Sequence, residues 1–148
     1  MKYVIDKDKG LREIVLQAKK LKNTVLVVGV LEGEKNSEGA NIAEYATYNE
    51  FGTKDIPPRP FMSTAFDKNQ PRYSKHMEAM MSETSAAVFA KMVNLLGLTA
   101  QQDVLKEIDE KFDPPNSPAT IAKKKSDKPL IDTGAMRSAI TYEVRNGV

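Results

Sequence analysis

The sequence predicts an α+β fold: a small, mainly antiparallel sheet packed with a long helix and several shorter helices. Three observations carry this. Two short β-rich runs, TVLVVGVL at 24–31 and ITYEV at 140–144, flank the rest of the chain. Between them, apolar residues recur at helical spacing over much of residues 71–112. Proline-rich breaks, IPPRP and DPPNSP, divide that middle into separate elements. A length of 148 residues suits a single domain over 1–148.

Taken in order, residues 8–22, DKGLREIVLQAKKLK, place Leu11, Ile14, Val15, Ala18 and Leu21 on one helical face, with Asp8 as N-cap. TVLVVGVL predicts a strand with both faces largely covered. The polar, glycine-bounded EGEKNSEG predicts a mobile surface loop over 32–40. NIAEYATYNEFG, 41–52, predicts a helix capped by Asn41, with Glu44 completing a capping box and Gly52 ending it in a left-handed conformation. The segment 53–61 is extended, because each residue before a proline is pushed out of the helical region. Pro60 suits the first position of a short helix lined by Phe61, Met62, Ala65 and Phe66. Pro71 opens a longer helix through residue 96. Gly97 interrupts it, and Thr99 with Gln102 forms a second capping pair before Val104, Leu105, Ile108 and Phe112. Ser117 and Pro118 start a short helical turn, ATIAKKK. Thr133 caps a turn beginning at Gly134, and Ile140, Tyr142 and Val144 alternate as a strand.

Composition narrows the chemistry. The chain has no cysteine, which excludes disulfides, thiol nucleophiles and Cys-based zinc sites and points to a reducing compartment. Its one histidine, His76, lies beside an apolar helical stripe and has no metal-selecting spacing to Asp67 or Glu78. Three carboxylates stand near structural punctuation, and each has a plainer reading than acid–base catalysis: Glu44 as a cap, Glu50 as a surface group, Asp132 as a turn residue. No serine or threonine has a nucleophile-elbow context. The reading is non-enzymatic, with no catalytic, cofactor-binding or metal-binding residue and no cofactor. No apolar run reaches the length needed to span a bilayer, and MKYVIDKDKG lacks a signal core. Net charge is +2, but residues 1–30 hold seven Lys or Arg against three acids. That basic start, with Lys123–Lys125, supports an alternative reading as a small DNA-binding protein. The plainer reading of the three lysines is a solvated loop.

Arg59 stands apart. Pro57, Pro58 and Pro60 hold the backbone around it, so placing its guanidinium costs little entropy, and the fork suits a carboxylate or carbonyl partner. An internal brace and an intersubunit contact both fit.

Two blocks, YNEFGT with IPPRPFM and SPATIAKKKSDKPLIDTGAMRSAITYEV, resemble the small neck and tail-completion proteins of tailed bacteriophages, grouped as HK97 gp10-like and Mu-type virion morphogenesis families. The likeness spans about residues 42–145. Glu50, Phe51, Gly52, Arg59, Pro60 and Phe61 match the first block; Leu130, Asp132, Thr133, Gly134 and Ser138 match the second. Phe112 stands where many relatives place a tryptophan. The resemblance implies a non-enzymatic structural protein that completes the tail or joins it to the head, as a tail terminator or as an adjacent neck protein. It implies a homo-oligomeric ring, a connector or head-closure protein and a tail-tube or terminator protein as partners, and at most non-specific DNA contact. It places the protein at the virion head–tail junction or tail, assembled in the host bacterial cytoplasm and away from any membrane.

Overall fold

The computed structural model describes residues 15, 16, 19, 23–31, 33–110, 114–124, 127–131 and 133–146. Most of the helix expected over 8–22 lies outside them, although Val15, Leu16 and Lys19 are helical. Phe112, Lys125 and Asp132 also lie outside them.

The fold is α+β. Strand β1 (Thr24–Val30) pairs antiparallel with β2 (Ile140–Asn146), from Thr24 opposite Asn146 to Val30 opposite Ile140. Helices α1 (Ile42–Phe51), α2 (Phe61–Met81), α3 (Ala86–Asp109), α4 (Pro118–Lys124) and α5 (Ala135–Ala139) lie between the strands in sequence. Leu26 and Val28 face the helices; on the other side Gly29 is buried, Val27 is half-buried and Val25 is 44% exposed, so the second face is covered only in part.

The helix boundaries shift from those the prolines and glycines suggest. α2 begins after Pro60 and runs straight through Pro71. Pro71 and Asp67, whose carbonyl loses its intrahelical donor, are both exposed, so the loss falls on the solvent side of the helix. Packing on the buried side holds the helix on both sides of the proline, through Phe61 and Ala65 before it and Met80 after it. The break falls at residues 82–85 instead. Ser85 caps α3 by accepting from the Val88 amide at 3.4 Å, and the Glu83 carboxylate accepts from the Ser85 amide at 2.6 Å. These local side-chain bonds replace helical ones and stop the chain from continuing. α3 then passes through Gly97 without a break. The glycine is there for packing: the Tyr142 ring of β2 occupies the space a Cβ would need. Thr99 is mid-helix, its hydroxyl donating back to the Leu95 carbonyl at 2.7 Å, so no second capping pair forms.

α2 and α3 form an antiparallel hairpin. Two ion pairs cross it one helical turn apart, Arg72 with Asp103 and Lys68 with Glu107 at 2.7 Å. The Tyr73 hydroxyl also donates to Asp103 at 2.6 Å, and burial together with that carboxylate pushes the phenol well above its ordinary range. One core joins Ile42, Phe61, Ala65, Val104, Ile108 and Ile140, and a second joins Met80, Phe89, Val93 and Leu96. Between β1 and α1, the Asn36 side chain accepts from the Glu38 and Ala40 amides and closes the 33–40 loop on itself. No helix of the described residues is long and apolar enough to cross a membrane.

Candidate protein-contact site

The segment between α1 and α2 is held by hydrogen bonds at Gly52, Thr53, Asp55, Ile56 and Arg59. α1 starts as expected: Asn41 Oδ1 accepts from the Ala43 and Glu44 amides. The Glu44 carboxylate does not complete a capping box but accepts from the Tyr48 hydroxyl at 2.5 Å, which raises the Tyr48 pKa. The helix ends at Gly52, whose φ of 76° lies in the left-handed region and whose amide donates to the Tyr48 carbonyl. Glycine is required there twice over. A Cβ would also meet Pro58 Cδ and N at 2.9 Å.

Thr53 closes the next turn. Its hydroxyl accepts from the Asp55 and Ile56 amides, and its own amide donates to the Ile56 carbonyl at 2.8 Å. The chain then runs back so that the Arg59 amide donates to the Asn49 carbonyl at 2.6 Å. Pro60 brings α2 to its start with no side chain able to cap it. Glu50 supplies the missing cap from a different helix. Its Oε2 accepts from the Met62 amide at 2.9 Å, and its Oε1 accepts from the Ser63 amide at 2.9 Å and the Ser63 hydroxyl at 2.5 Å. A carboxylate at a helix N-terminus satisfies orphan amides and meets the positive end of the helix dipole. Glu50 is only 8% exposed, so the surface reading of this residue is corrected.

Arg59 lies inward as well, 5% exposed. Its Nε and Nη2 donate to the Pro114 carbonyl at 3.3 and 3.1 Å, and Nη2 donates to Asn116 Oδ1 at 3.3 Å. Of the two roles open to it from sequence, the structure gives it the internal brace, tying this loop to the turn before α4. Burial lowers its pKa by disfavouring the charged form. Asn116 Nδ2 is buried and has no partner among the described residues. Phe61 is 1% exposed in the first core. Phe51 is the exception in the block: it is 75% exposed, the most exposed of the large apolar side chains described.

The second block sits beside the first. Thr133 Oγ1 accepts from the Ala135 amide at 3.3 Å, and Gly134, with φ of 80°, starts α5. Leu130 and Met136 anchor this turn in the first core. Thr133 and Gly134 line a cleft of 260 Å³ together with Tyr45 and Asn49 of α1 and Asn36 of the 33–40 loop. Glu50, Phe51 and Phe61 line a separate recess of 290 Å³ on the other side of α1. The two blocks thus adjoin through α1 and form two surfaces.

Sequence reasoning missed Ser63, Pro114 and Asn116, the partners that explain Glu50 and Arg59. One signal was present: a helix opening after Pro60 has no Ser, Thr, Asp or Asn at its cap, so another acceptor has to reach its amides. Among the described residues no group of His, Asp and Glu is arranged to hold a metal. Lys123 and Lys124 end α4. Comparison with protein-family models, with curated proteins and with solved structures returned no match.

Proposed function

We propose that this chain is a non-enzymatic structural protein of a phage head–tail junction or tail terminus, working as a ring of identical subunits between connector and tail. The motif resemblance of residues 49–62 and 130–138 motivates the reading. The observation that carries it further is the state of Phe51. The loop around it is held inside the subunit by hydrogen bonds of Glu50, Gly52, Thr53 and Arg59, which supports a fixed shape before any partner arrives. On that fixed support a large aromatic ring stands in water, 75% exposed. A rigid, exposed aromatic is the residue type that dominates binding energy when a partner covers it.

The test is complementation of head–tail joining with Phe51→Ala, alongside its thermal melt. The reading expects an unchanged melt and failed joining. Full complementation by Phe51→Asp removes the contact, and absence of the protein from purified virions removes the structural-component reading. Titration against duplex DNA at physiological salt tests the DNA-binding alternative, which specific binding tighter than about 10⁻⁷ M would favour.

A further inference from the structure

The sheet leaves β2 paired on one edge only among the described strands. Leu26 stands opposite Val144 and Val28 opposite Tyr142, so Ile140, Tyr142 and Val144 share the helix side of the sheet. Val144 is nevertheless 40% exposed. Glu143 and Arg145 lie on the other side, where they pair with each other at 2.8 Å and stay about half exposed. The flank of α3 beside β2 is bare as well. α3 meets β2 through Asn94, Gly97 and Gln101, and faces β1 with Val93, Leu96 and Ala100. Turning away from β1 and past the β2 contacts, the helix next presents Leu98 and Leu95, 46% and 54% exposed.

We propose that the free edge of β2 pairs antiparallel with β2 of a second copy of this chain, about a twofold axis through Val144. An open edge invites pairing, and charges on it normally discourage pairing. Here the charges alternate in sign, and that selects one register. A twofold axis normal to the sheet passes through one residue of each strand in an antiparallel pair of identical strands. Through Glu143 or Arg145 it sets like charges opposite each other. Through Thr141 or Tyr142 it gives neither charge an opposite partner within the strand. Through Val144 it sets Glu143 opposite the partner's Arg145, twice over, and Val144 against its own copy. The helix spacing fits the same dimer. α3 lies over both strands, so in a sheet ordered β1–β2–β2–β1 the two α3 helices fall two strand spacings apart, about 9–10 Å. Packed helices ordinarily lie about 8–10 Å apart, and Leu95 and Leu98 fill the seam. The contact is small, so the dimer dissociates on dilution and melts of dilute protein read the monomer. This inference does not depend on the virion role, and its surface is not that of Phe51, which lies beside Val30 at the other end of the strands.

Sedimentation of the full chain tests it. The wild type is expected to shift from monomer to dimer as its concentration rises. Glu143→Arg and Arg145→Glu each set like charges across the axis, and each should raise the dimer dissociation constant about tenfold or more. Mixed in equal amounts, the two variants are complementary across the axis and should recover the dimer as a heterodimer. Both positions lie on the exposed side, so circular dichroism should show each variant folded. The chain has no cysteine, so one introduced thiol reports the axis. Val144→Cys should oxidise to a linked dimer, because directly opposed Cα atoms lie about 4.5–5.5 Å apart, within disulfide reach, and Thr141→Cys should not. This cross-link decides the question whether or not the charge variants fold. The proposal is overturned by a wild type that stays monomeric up to its solubility limit, by single charge variants that dimerise as the wild type does, or by folded variants that stay apart on mixing. It is equally overturned if Val144→Cys fails to link, or if Thr141→Cys links as readily.

Discussion

Replacing Glu50 by alanine isolates the cap on α2. The carboxylate accepts two backbone amides at the second and third helical positions and the Ser63 hydroxyl, at 2.9, 2.9 and 2.5 Å. Losing an ordinary side-chain cap costs about 0.5–2 kcal/mol. Here the acceptor is charged and 8% exposed, and each amide left unpaired in a part-buried site adds a desolvation cost of about 1–3 kcal/mol. The three bonds share one carboxylate, so these costs do not simply add, and the expected loss is about 2–4 kcal/mol. For a domain of this size 1 kcal/mol moves the melting midpoint by about 2–4 °C, so Glu50→Ala should lower it by roughly 5–15 °C. Glu50→Gln retains one amide oxygen as acceptor but loses the charge, and it should fall about halfway. Circular dichroism melts with urea titration at constant m-value measure both. A Glu50→Ala midpoint within a degree of wild type would refute the argument, as would Gln and Ala variants that are equally destabilised.

Three further expectations follow from named contacts. Gly97→Ala drives a methyl into the Tyr142 ring and should cost about 1–3 kcal/mol, and Tyr142→Ala in the same chain should remove most of that cost, as a double-mutant cycle in urea measures. Arg59→Ala strands the Pro114 carbonyl and should cost about 2–3 kcal/mol, whereas Arg145→Ala, which loses only an exposed pair with Glu143, should leave the melt within about a degree; similar melts would remove the brace. Arg137 holds the Asp109 carboxyl below its ordinary 3.8, so the pair stabilises at neutral pH and its contribution is lost as pH falls through the depressed value. Because both side chains are more than a third exposed, solvent screening limits this to about 1 kcal/mol or less, and Asp109→Asn should flatten that part of the acid limb of stability against pH.

Local signals carried the sequence reading furthest. Asn41 and Gly52 bound α1 as expected, Ser117 opens α4, and Ile140 opens β2, because caps, left-handed glycines and alternation act over a few residues. Errors arose where a residue answers to something distant. Gly97 reads as a helix breaker until Tyr142 is placed above it. Pro71 reads as a helix start until the packing on both sides is seen to outweigh one missing amide. Glu50 and Arg59 take partners 12 to 57 positions away, and no periodicity encodes such pairings. At the candidate site, the importance of the 49–62 block was legible from its prolines and arginine. The division of labour within it, with Glu50 and Arg59 turned inward and Phe51 outward, was not.

The strand register has a kinetic consequence. Each rung from Thr24–Asn146 to Val30–Ile140 joins residues over about a hundred positions apart, so closing the sheet means closing nearly the whole described chain into a loop. The α2–α3 hairpin needs only neighbouring residues, and its ion pairs and Ser85 cap can form while β2 is still being synthesised. Until β2 arrives, β1 has neither its hydrogen-bonded partner nor the Tyr142 ring that packs on Gly97. A chain whose helical hairpin has formed before β2 is made carries a valine-rich strand open on both edges, and pairing with β2 covers one of them.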